Sequence, residues 1–65
     1  MEFIYVLVSK DCEWEDIVVY LSIDDAIKES IKHPQCRIEI FSKSDNVGYT
    51  PTYNYYKNGE FIHNS

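Results

Sequence analysis

The stretch FIYVLV, residues 3–8, decides the fold, because it is apolar on both faces of an extended chain. In a strand, Phe3, Tyr5 and Leu7 point to one side and the residues between them point to the other. Strands that are apolar on both sides lie at the centre of a sheet and are covered on both faces. We therefore expect a central strand over residues 2–9.

The segments that follow predict a second strand and one helix. Residues 10–14 are polar and acidic and connect to a strand over residues 15–21, which is rich in β-branched side chains. Ser22 supplies an N-cap hydroxyl, and carboxylates follow it in the first turn. Isoleucines then recur every four residues, which predicts one apolar stripe. Pro34 ends this helix at about His33.

The rest of the chain predicts three more strands. Residues 36–42 alternate between apolar and polar side chains, and residues 52–57 are rich in tyrosine. Between them, residues 43–51 carry Asp, Asn and Gly, so we expect a loop there. The Asn-Gly pair at 58–59 is typical of a two-residue type I′ turn, after which residues 60–63 return as a short strand.

The element order β-β-α-β-β-β predicts an α+β fold, a mostly antiparallel sheet with one helix packed on one face. A right-handed connection from the second strand through the helix crosses over the first strand, so the third strand pairs with the first. The predicted sheet order is therefore 2-1-3, followed by the C-terminal hairpin. A chain of 65 residues leaves room for a single small domain.

Composition limits the classes of function. The net charge of −5 repels phosphate backbones, so we expect no nucleic-acid partner. No segment approaches the roughly 20 apolar residues of a membrane span, and none has the form of a secretory signal. We expect a cytoplasmic protein without a membrane partner. Cys12 and Cys36 are too few for a disulfide scaffold, and we expect both thiols to be reduced.

Motifs for a metal centre or for catalysis are not found. His33 and Cys36 have the spacing of two metal ligands, but a closed zinc site needs four and no second pair follows. The four carboxylates within residues 11–16 stand in a turn, where acidic groups are usually solvated. Two glycines are too few for a loop that cradles phosphate groups, and the chain has no nucleophile motif. We therefore expect that the protein is not an enzyme and that it holds no metal or cofactor.

The apolar side chains exceed what one helix can cover. Phe3, Tyr5, Tyr20 and Phe41 cannot all lie beneath a helix of about three turns. An exposed apolar sheet face usually marks an interface, and two-fold dimers are the commonest oligomers. A domain of this size buries only about 60% of its surface, so we expect a homo-oligomer, most simply a dimer. The alternative is a monomer whose tyrosine face tolerates water.

Aromatic residues supply the candidate interaction surface. Tyrosine offers a large contact area at low entropic cost, although cross-strand pairing also favours it in hairpins. Alternation places Tyr53 and Tyr55 on one face and Tyr56 on the other. The candidate interaction residues are Tyr49, Tyr53, Tyr55, Tyr56, Trp14 and Phe41. The side chains that could supply charge to a ligand are Lys10, Arg37 and Lys43.

The run YVLVSKDCEWEDIVVYLSIDDAI, residues 5–27, followed by CRIEIF, residues 36–41, resembles small ββαβ domains encoded by phages, bacteria and large DNA viruses. The matching positions are those of the helix start and of the third strand: Ser22, Asp24, Ala26, Arg37, Ile38 and Glu39. The resemblance implies the fold and a viral or phage accessory role, such as host modulation or defence evasion. Those domains have no settled biochemical function, so no functional residue is carried over.

Two functions from different classes remain open. The first is a non-enzymatic, homo-oligomeric interaction module that binds a host protein through its tyrosine surface. The second is a homo-oligomeric binder that sequesters a small molecule or a nucleotide in a pocket between subunits. A DNA mimic is a lesser alternative, because a net charge of −5 is weak for such a protein.

Overall fold

A computed structural model describes residues 2–9 and 13–63. The five strands form one antiparallel sheet in the order β2-β1-β3-β4-β5. Their bounds are β1 Phe3–Val8, β2 Val18–Tyr20, β3 Arg37–Ser44, β4 Gly48–Lys57 and β5 Glu60–Ile62. One helix, α1 (Ile23–Lys32), lies between β2 and β3 in the chain. The predicted α+β fold and the order 2-1-3 with a C-terminal hairpin are confirmed.

Helix α1 begins and ends where the sequence predicts. The Oγ of Ser22 accepts a hydrogen bond from the backbone N–H of Asp25 at 3.5 Å and caps the first turn. At the other end, the N–H of His33 donates to the carbonyl of Glu29 at 3.1 Å. Pro34 cannot continue the helix, so the chain turns back towards β3.

The core lies between α1 and one face of the sheet, which we call the helix face. Tyr5 lies opposite Ile40 in neighbouring strands, and Ile38 is fully buried beside them. Ala26 and Ser30 are also fully buried, and their small side chains let α1 approach the sheet closely. The half-buried residues packed around this centre are Leu7, Tyr20 and Tyr56. The core is therefore only a few side chains wide.

The C-terminal hairpin is attached to α1 by one serine. Asn58 and Gly59 have φ of 51° and 81°, as the predicted type I′ turn requires. The N–H of Gly59 donates to the Oγ of Ser30 at 2.9 Å, and that hydroxyl donates to the carbonyl of Ile27 at 2.7 Å. A Cβ at position 59 would lie 3.0 Å from Cγ1 of Ile31, so an added side chain would also displace the exposed Ile31 side chain.

The strand predicted over residues 15–21 is wrong at its start. Residues Trp14–Asp16 form a turn of 3₁₀ helix, and β2 itself covers only Val18–Tyr20. The Oδ2 of Asp16 accepts a hydrogen bond from the N–H of Glu13 at 3.2 Å. Local bonds of this kind compete with strand pairing, which explains the shorter strand.

The loop predicted over residues 43–51 is too long, since only residues 45–47 form the turn. β3 continues to Ser44, and β4 begins at Gly48, where φ is 96°. Pro51 therefore lies inside a strand. β5 pairs only with residues 55–57 of β4, so the outer side of the strand at Pro51 needs no N–H donor.

Lys10, Cys12 and most of the predicted connection over residues 10–14 lie outside the described residues. Within the described ranges, the structure contains no helix that is both long enough and apolar enough to cross a membrane.

Candidate interaction surface

The face of the sheet opposite α1, here called the open face, is not covered by any described part of the chain. It presents two rows of side chains across the strands: Val19, Val6, Glu39 and Tyr55, and then Ile4, Phe41 and Pro51. The sequence predicted that β1 is covered on both faces. Within one chain this is wrong, because α1 packs on the helix face alone. Of the four side chains that the sequence predicted to exceed the helix, only Phe41 lies on the open face. Tyr5 and Tyr20 pack in or against the core beneath α1, and Phe3 lies on the same side of β1 as Tyr5, so the prediction is right for Phe41 alone.

A groove of about 810 Å³ lies on the open face. Its lining combines aromatic and charged side chains; those that matter below are Phe41, Pro51, Tyr53, Tyr55, Arg37 and Glu39. Ligand sites in proteins have volumes of roughly 300–1,000 Å³, so the groove is large enough for a peptide segment or a small molecule.

Arg37 is fixed within this groove by two neighbours. Its Nε lies 2.6 Å from Oε2 of Glu39, and its guanidinium carbon lies 5.1 Å from the centre of the Tyr55 ring. The Glu39 side chain is 17% exposed, whereas that of Arg37 is 54% exposed. A guanidinium that is stacked on a ring and paired through Nε keeps its remaining N–H groups in a defined plane. Arg37 is therefore prepared to donate hydrogen bonds to a bound partner.

A bulge in β4 forms one wall of the groove. β3 and β4 pair at Glu39–Tyr55 and next at Phe41–Pro51, so three residues of β4 lie opposite Ile40. Bulges bend a strand and change the direction of its side chains. Here the bulge places residues 52–54 between Pro51 and Tyr55, and it makes the open face concave.

Tyr53 lies at the centre of that bulge in a strained conformation. Its φ is 69°, a value that a bulky non-glycine residue rarely adopts. The Oγ1 of Thr52 holds the backbone, because it donates to the carbonyl of Ile40 at 2.8 Å and accepts from the N–H of Asn54 at 3.2 Å. The Tyr53 side chain is nevertheless 64% exposed, so little packing offsets the strain. Strain of this kind is concentrated at binding sites.

Tyr49 and Lys43 lie at the far end of the open face, where Glu2 joins them. The hydroxyl of Tyr49 donates to Oε2 of Glu2 at 2.9 Å, and the Nζ of Lys43 lies 3.8 Å from the same oxygen. The hydrogen bond to Glu2, followed by desolvation, raises the pKa of Tyr49. Lys43 is thus engaged by a carboxylate of its own chain.

The open face is electrically balanced. On and around it the described residues place three cations and three carboxylates: Arg37, Lys43, Lys57, Glu2, Glu39 and Glu60. The net charge of −5 therefore resides elsewhere, in the turn at 13–16, in α1 and at Asp45. A neutral, aromatic surface therefore makes the contact itself insensitive to the sign of a partner's charge, while the net charge of −5 still acts at long range.

The structure brings together part of the predicted aromatic set. Tyr53, Tyr55 and Phe41 line the groove, and the predicted separation of Tyr56 from the first two is confirmed. Tyr56 packs against the core on the helix face, with its ring 5.6 Å from that of Phe61. It is a structural residue in the monomer, not part of the open face.

Trp14 and the basic residues lie in different places. Trp14 is 80% exposed in the 3₁₀ turn before β2, away from the groove. Of the predicted ligand charges, Arg37 lines the groove, Lys43 pairs with Glu2, and Lys10 lies outside the described residues.

Glu39 and Pro51 were missed by the sequence analysis. The signal for Glu39 was present, since Arg37 and Glu39 are two residues apart on one strand and so share a face. Nothing in the sequence indicated that Pro51 lies in a strand, because a proline in a polar stretch is typical of a loop.

Within residues 2–9 and 13–63, no group of three or more His, Cys, Asp or Glu side chains is placed to hold a metal ion. The Nε2 of His33 lies 4.0 Å from Oε1 of Glu29, and Cys36 is a half-buried free thiol.

No family model, no curated protein and no solved structure matches this chain. The chemistry of the open face is therefore the basis of the functional proposal.

Proposed function

We propose that this protein is a non-enzymatic interaction module that acts as a homo-oligomer and binds another protein through its open face. The observation that supports this most directly is the groove, in which Tyr53 and Tyr55 stand beside a fixed Arg37. Tyrosine and arginine are enriched among the residues that dominate binding energy at protein interfaces. The resemblance to phage and viral domains makes a host protein the partner we propose.

The groove has the chemistry to bind a segment of polypeptide. The rings of Tyr53 and Tyr55 offer apolar area to a partner's side chains, and their hydroxyls offer hydrogen bonds. Glu39 occupies the Nε of Arg37, so the other guanidinium nitrogens are left to donate to a backbone carbonyl or a carboxylate of the partner. Because Arg37 is already fixed, its ordering cost on binding is small.

The size of the groove favours a second candidate, the capture of a small molecule or nucleotide. A volume of about 810 Å³ is sufficient for such a ligand, with a ring stacked on tyrosine and an anionic group at Arg37. The groove lies within one chain, so this ligand would not require a pocket between subunits.

Aromatic truncation tests the first proposal. We expect Tyr53→Ala and Tyr55→Ala each to weaken partner binding at least tenfold, since interface tyrosines often contribute about 2 kcal/mol or more. The tagged protein is used as bait in host lysate, and quantitative mass spectrometry compares the proteins retained by each variant. Phe61→Ala is the matched control, because Phe61 is 53% exposed but packs beside Tyr56 on the helix face.

The two candidates give different results. A protein retained by wild type and Phe61→Ala but lost from both tyrosine variants supports the interaction module. Retention of that protein by both tyrosine variants contradicts the assignment of the open face. A thermal shift of the pure protein with a nucleotide panel, abolished by Arg37→Ala, supports ligand capture instead.

A further inference from the structure

The Asn-Gly pair at the tip of the C-terminal hairpin carries a reactivity that the proposed function does not use. Asparagine is among the chemically labile residues of proteins, and a glycine after it leaves the next backbone nitrogen unhindered. That nitrogen can attack the side-chain carbonyl carbon of the asparagine. Asn58 is exposed and Gly59 is half-buried, so the contacts of Gly59 determine whether the attack takes place.

The reaction passes through a cyclic imide. Hydroxide removes the proton of the Gly59 nitrogen, which forms a bond to Cγ of Asn58. The bond from Cγ to Nδ2 breaks, and ammonia leaves with a proton taken from water. A second water then opens the imide at one of its two carbonyls. Opening at the Cγ carbonyl leaves aspartate at position 58, and opening at the backbone carbonyl leaves isoaspartate.

The Gly59 nitrogen is held in a way that opposes the first step. Its N–H donates to the Oγ of Ser30 at 2.9 Å, and Ser30 is fully buried. The Ser30 hydroxyl donates its own proton to the carbonyl of Ile27 at 2.7 Å, so its oxygen faces Gly59 as an acceptor. Loss of the Gly59 proton would break this hydrogen bond and place a negatively charged nitrogen against an oxygen lone pair.

The turn and helix α1 also restrict the movement of Gly59. The positive φ values of Asn58 and Gly59, 51° and 81°, are those of the type I′ turn. The side chain of Ile31 packs against Gly59, since a Cβ there would lie 3.0 Å from Cγ1 and 3.2 Å from Cδ1 of Ile31. Gly59 therefore has little room to move towards the Asn58 side chain while the hairpin lies on α1.

We propose that Asn58 is a latent site of spontaneous deamidation, and that Ser30 keeps it unreactive while the hairpin is docked on α1. The reagents are hydroxide and water, so the modification needs no enzyme and no cofactor. Reaction then occurs from molecules in which the hairpin has opened locally, and its rate follows the population of that open state.

Isoaspartate at position 58 would alter the proposed binding surface. The length of the turn sets the register of a hairpin, and isoaspartate adds one atom to the backbone of this turn. The pairs Lys57–Glu60 and Tyr55–Ile62 depend on that register. Tyr55 and Lys57 line the groove, so the modification at the tip would reach the open face.

Peptide mapping by mass spectrometry, on the full-length protein incubated at mildly alkaline pH, tests the proposal. It measures the rate at which Asn58 is converted, and a synthetic peptide of residues 55–62 gives the unprotected rate. We expect wild type to react at least a hundredfold more slowly than the peptide. Ser30→Ala should react about tenfold faster than wild type. Lys28→Ala, an exposed substitution in α1, is the control and should react at the wild-type rate.

A second variant separates the bond to Ser30 from stability in general. Leu7 packs against the core, so Leu7→Val lowers the stability of the domain and keeps the Ser30 hydroxyl. Urea denaturation measures the loss of stability in both variants, and we expect Leu7→Val to accelerate the reaction far less than Ser30→Ala for an equal loss.

Three results would overturn the proposal. In the first, wild type reacts as fast as the peptide. In the second, Ser30→Ala is folded by circular dichroism and keeps the wild-type rate. In the third, both variants accelerate in the same proportion to their loss of stability, so that global unfolding explains the rate.

Discussion

Among the residues with positive φ, Gly59 and Tyr53 adopt it for opposite reasons. The type I′ turn requires this conformation at Gly59, and an added Cβ there would crowd Ile31. Tyr53 has no such need, and a left-handed conformation costs an L-residue about 1–2 kcal/mol. The ring of this strained residue is 64% exposed and so gains little from packing, which agrees with the binding role proposed for Tyr53.

Replacement of Tyr53 by glycine separates stability from binding. Tyr53→Gly relieves the positive φ at a small entropic cost, so we expect unfolding to become harder by about 0.5–1 kcal/mol. Urea denaturation measures this difference, and the bait experiment measures the expected loss of partner. A variant less stable than wild type would show that the ring contributes packing after all.

At the scale of elements, α1 and the C-terminal hairpin are joined through a single hydroxyl. Ser30 is fully buried, accepts from the N–H of Gly59 and donates to Ile27. A helix interior would prefer alanine at this position, by a few tenths of a kcal/mol. The serine is therefore explained by the hairpin that it holds and not by the helix in which it lies.

Removal of that hydroxyl is expected to loosen the hairpin. Ser30→Ala leaves the N–H of Gly59 without its acceptor, and we expect a loss of about 1–2 kcal/mol of stability despite the better helix propensity. Hydrogen exchange should accelerate most at the Gly59 amide. Lys28→Ala, an exposed substitution in the same helix, serves as the control and should change stability by less than about 0.5 kcal/mol. Unchanged exchange at Gly59 would contradict this role.

The elements that the sequence predicted best are those encoded locally. The limits of α1 follow from Ser22 and Pro34, and the last hairpin follows from its Asn-Gly pair. The strands β3 and β4 were predicted with too long a loop between them, because Pro51 is compatible with a strand only where the neighbouring edge is free, which depends on the length of β5. The tyrosines of the groove were identified by type, but their meeting with Arg37 depends on the register across β3 and β4 and on the bulge.

At the scale of the whole molecule, buried tyrosines link stability to alkaline pH. Desolvation raises the pKa of Tyr5, and the charge of Tyr56 adds to it. Desolvation and the nearby Glu29, 3.4 Å from the hydroxyl of Tyr20, raise the pKa of that residue. Both groups hold their protons more tightly in the folded state. Their contribution to the stability of the folded state is complete at pH values below the ordinary tyrosine pKa of 10.0. It is lost as the pH rises through the raised pKa values of the folded state.

We therefore expect the urea midpoint to fall steeply above pH 10. Tyr20→Phe removes one titrating group and should make that fall shallower, which phenolate absorbance can follow alongside unfolding. On the acid side, the hydrogen bond from Lys32 lowers the pKa of Glu29. The contribution of Glu29 to folding stability is therefore present above pH 4.5 and is lost as the pH falls through the lowered pKa. An alkaline slope identical in wild type and Tyr20→Phe would contradict the role of Tyr20.

The groove on the open face has a consequence for affinity. In the homo-oligomer that we propose, each copy would contribute one groove. A target that displays its binding segment twice, or a target that is itself dimeric, could then engage two grooves at once. Such bivalent attachment strengthens binding by about 10²- to 10⁴-fold without any new contact. The number of copies in the assembly would then determine how tightly the open face holds its target.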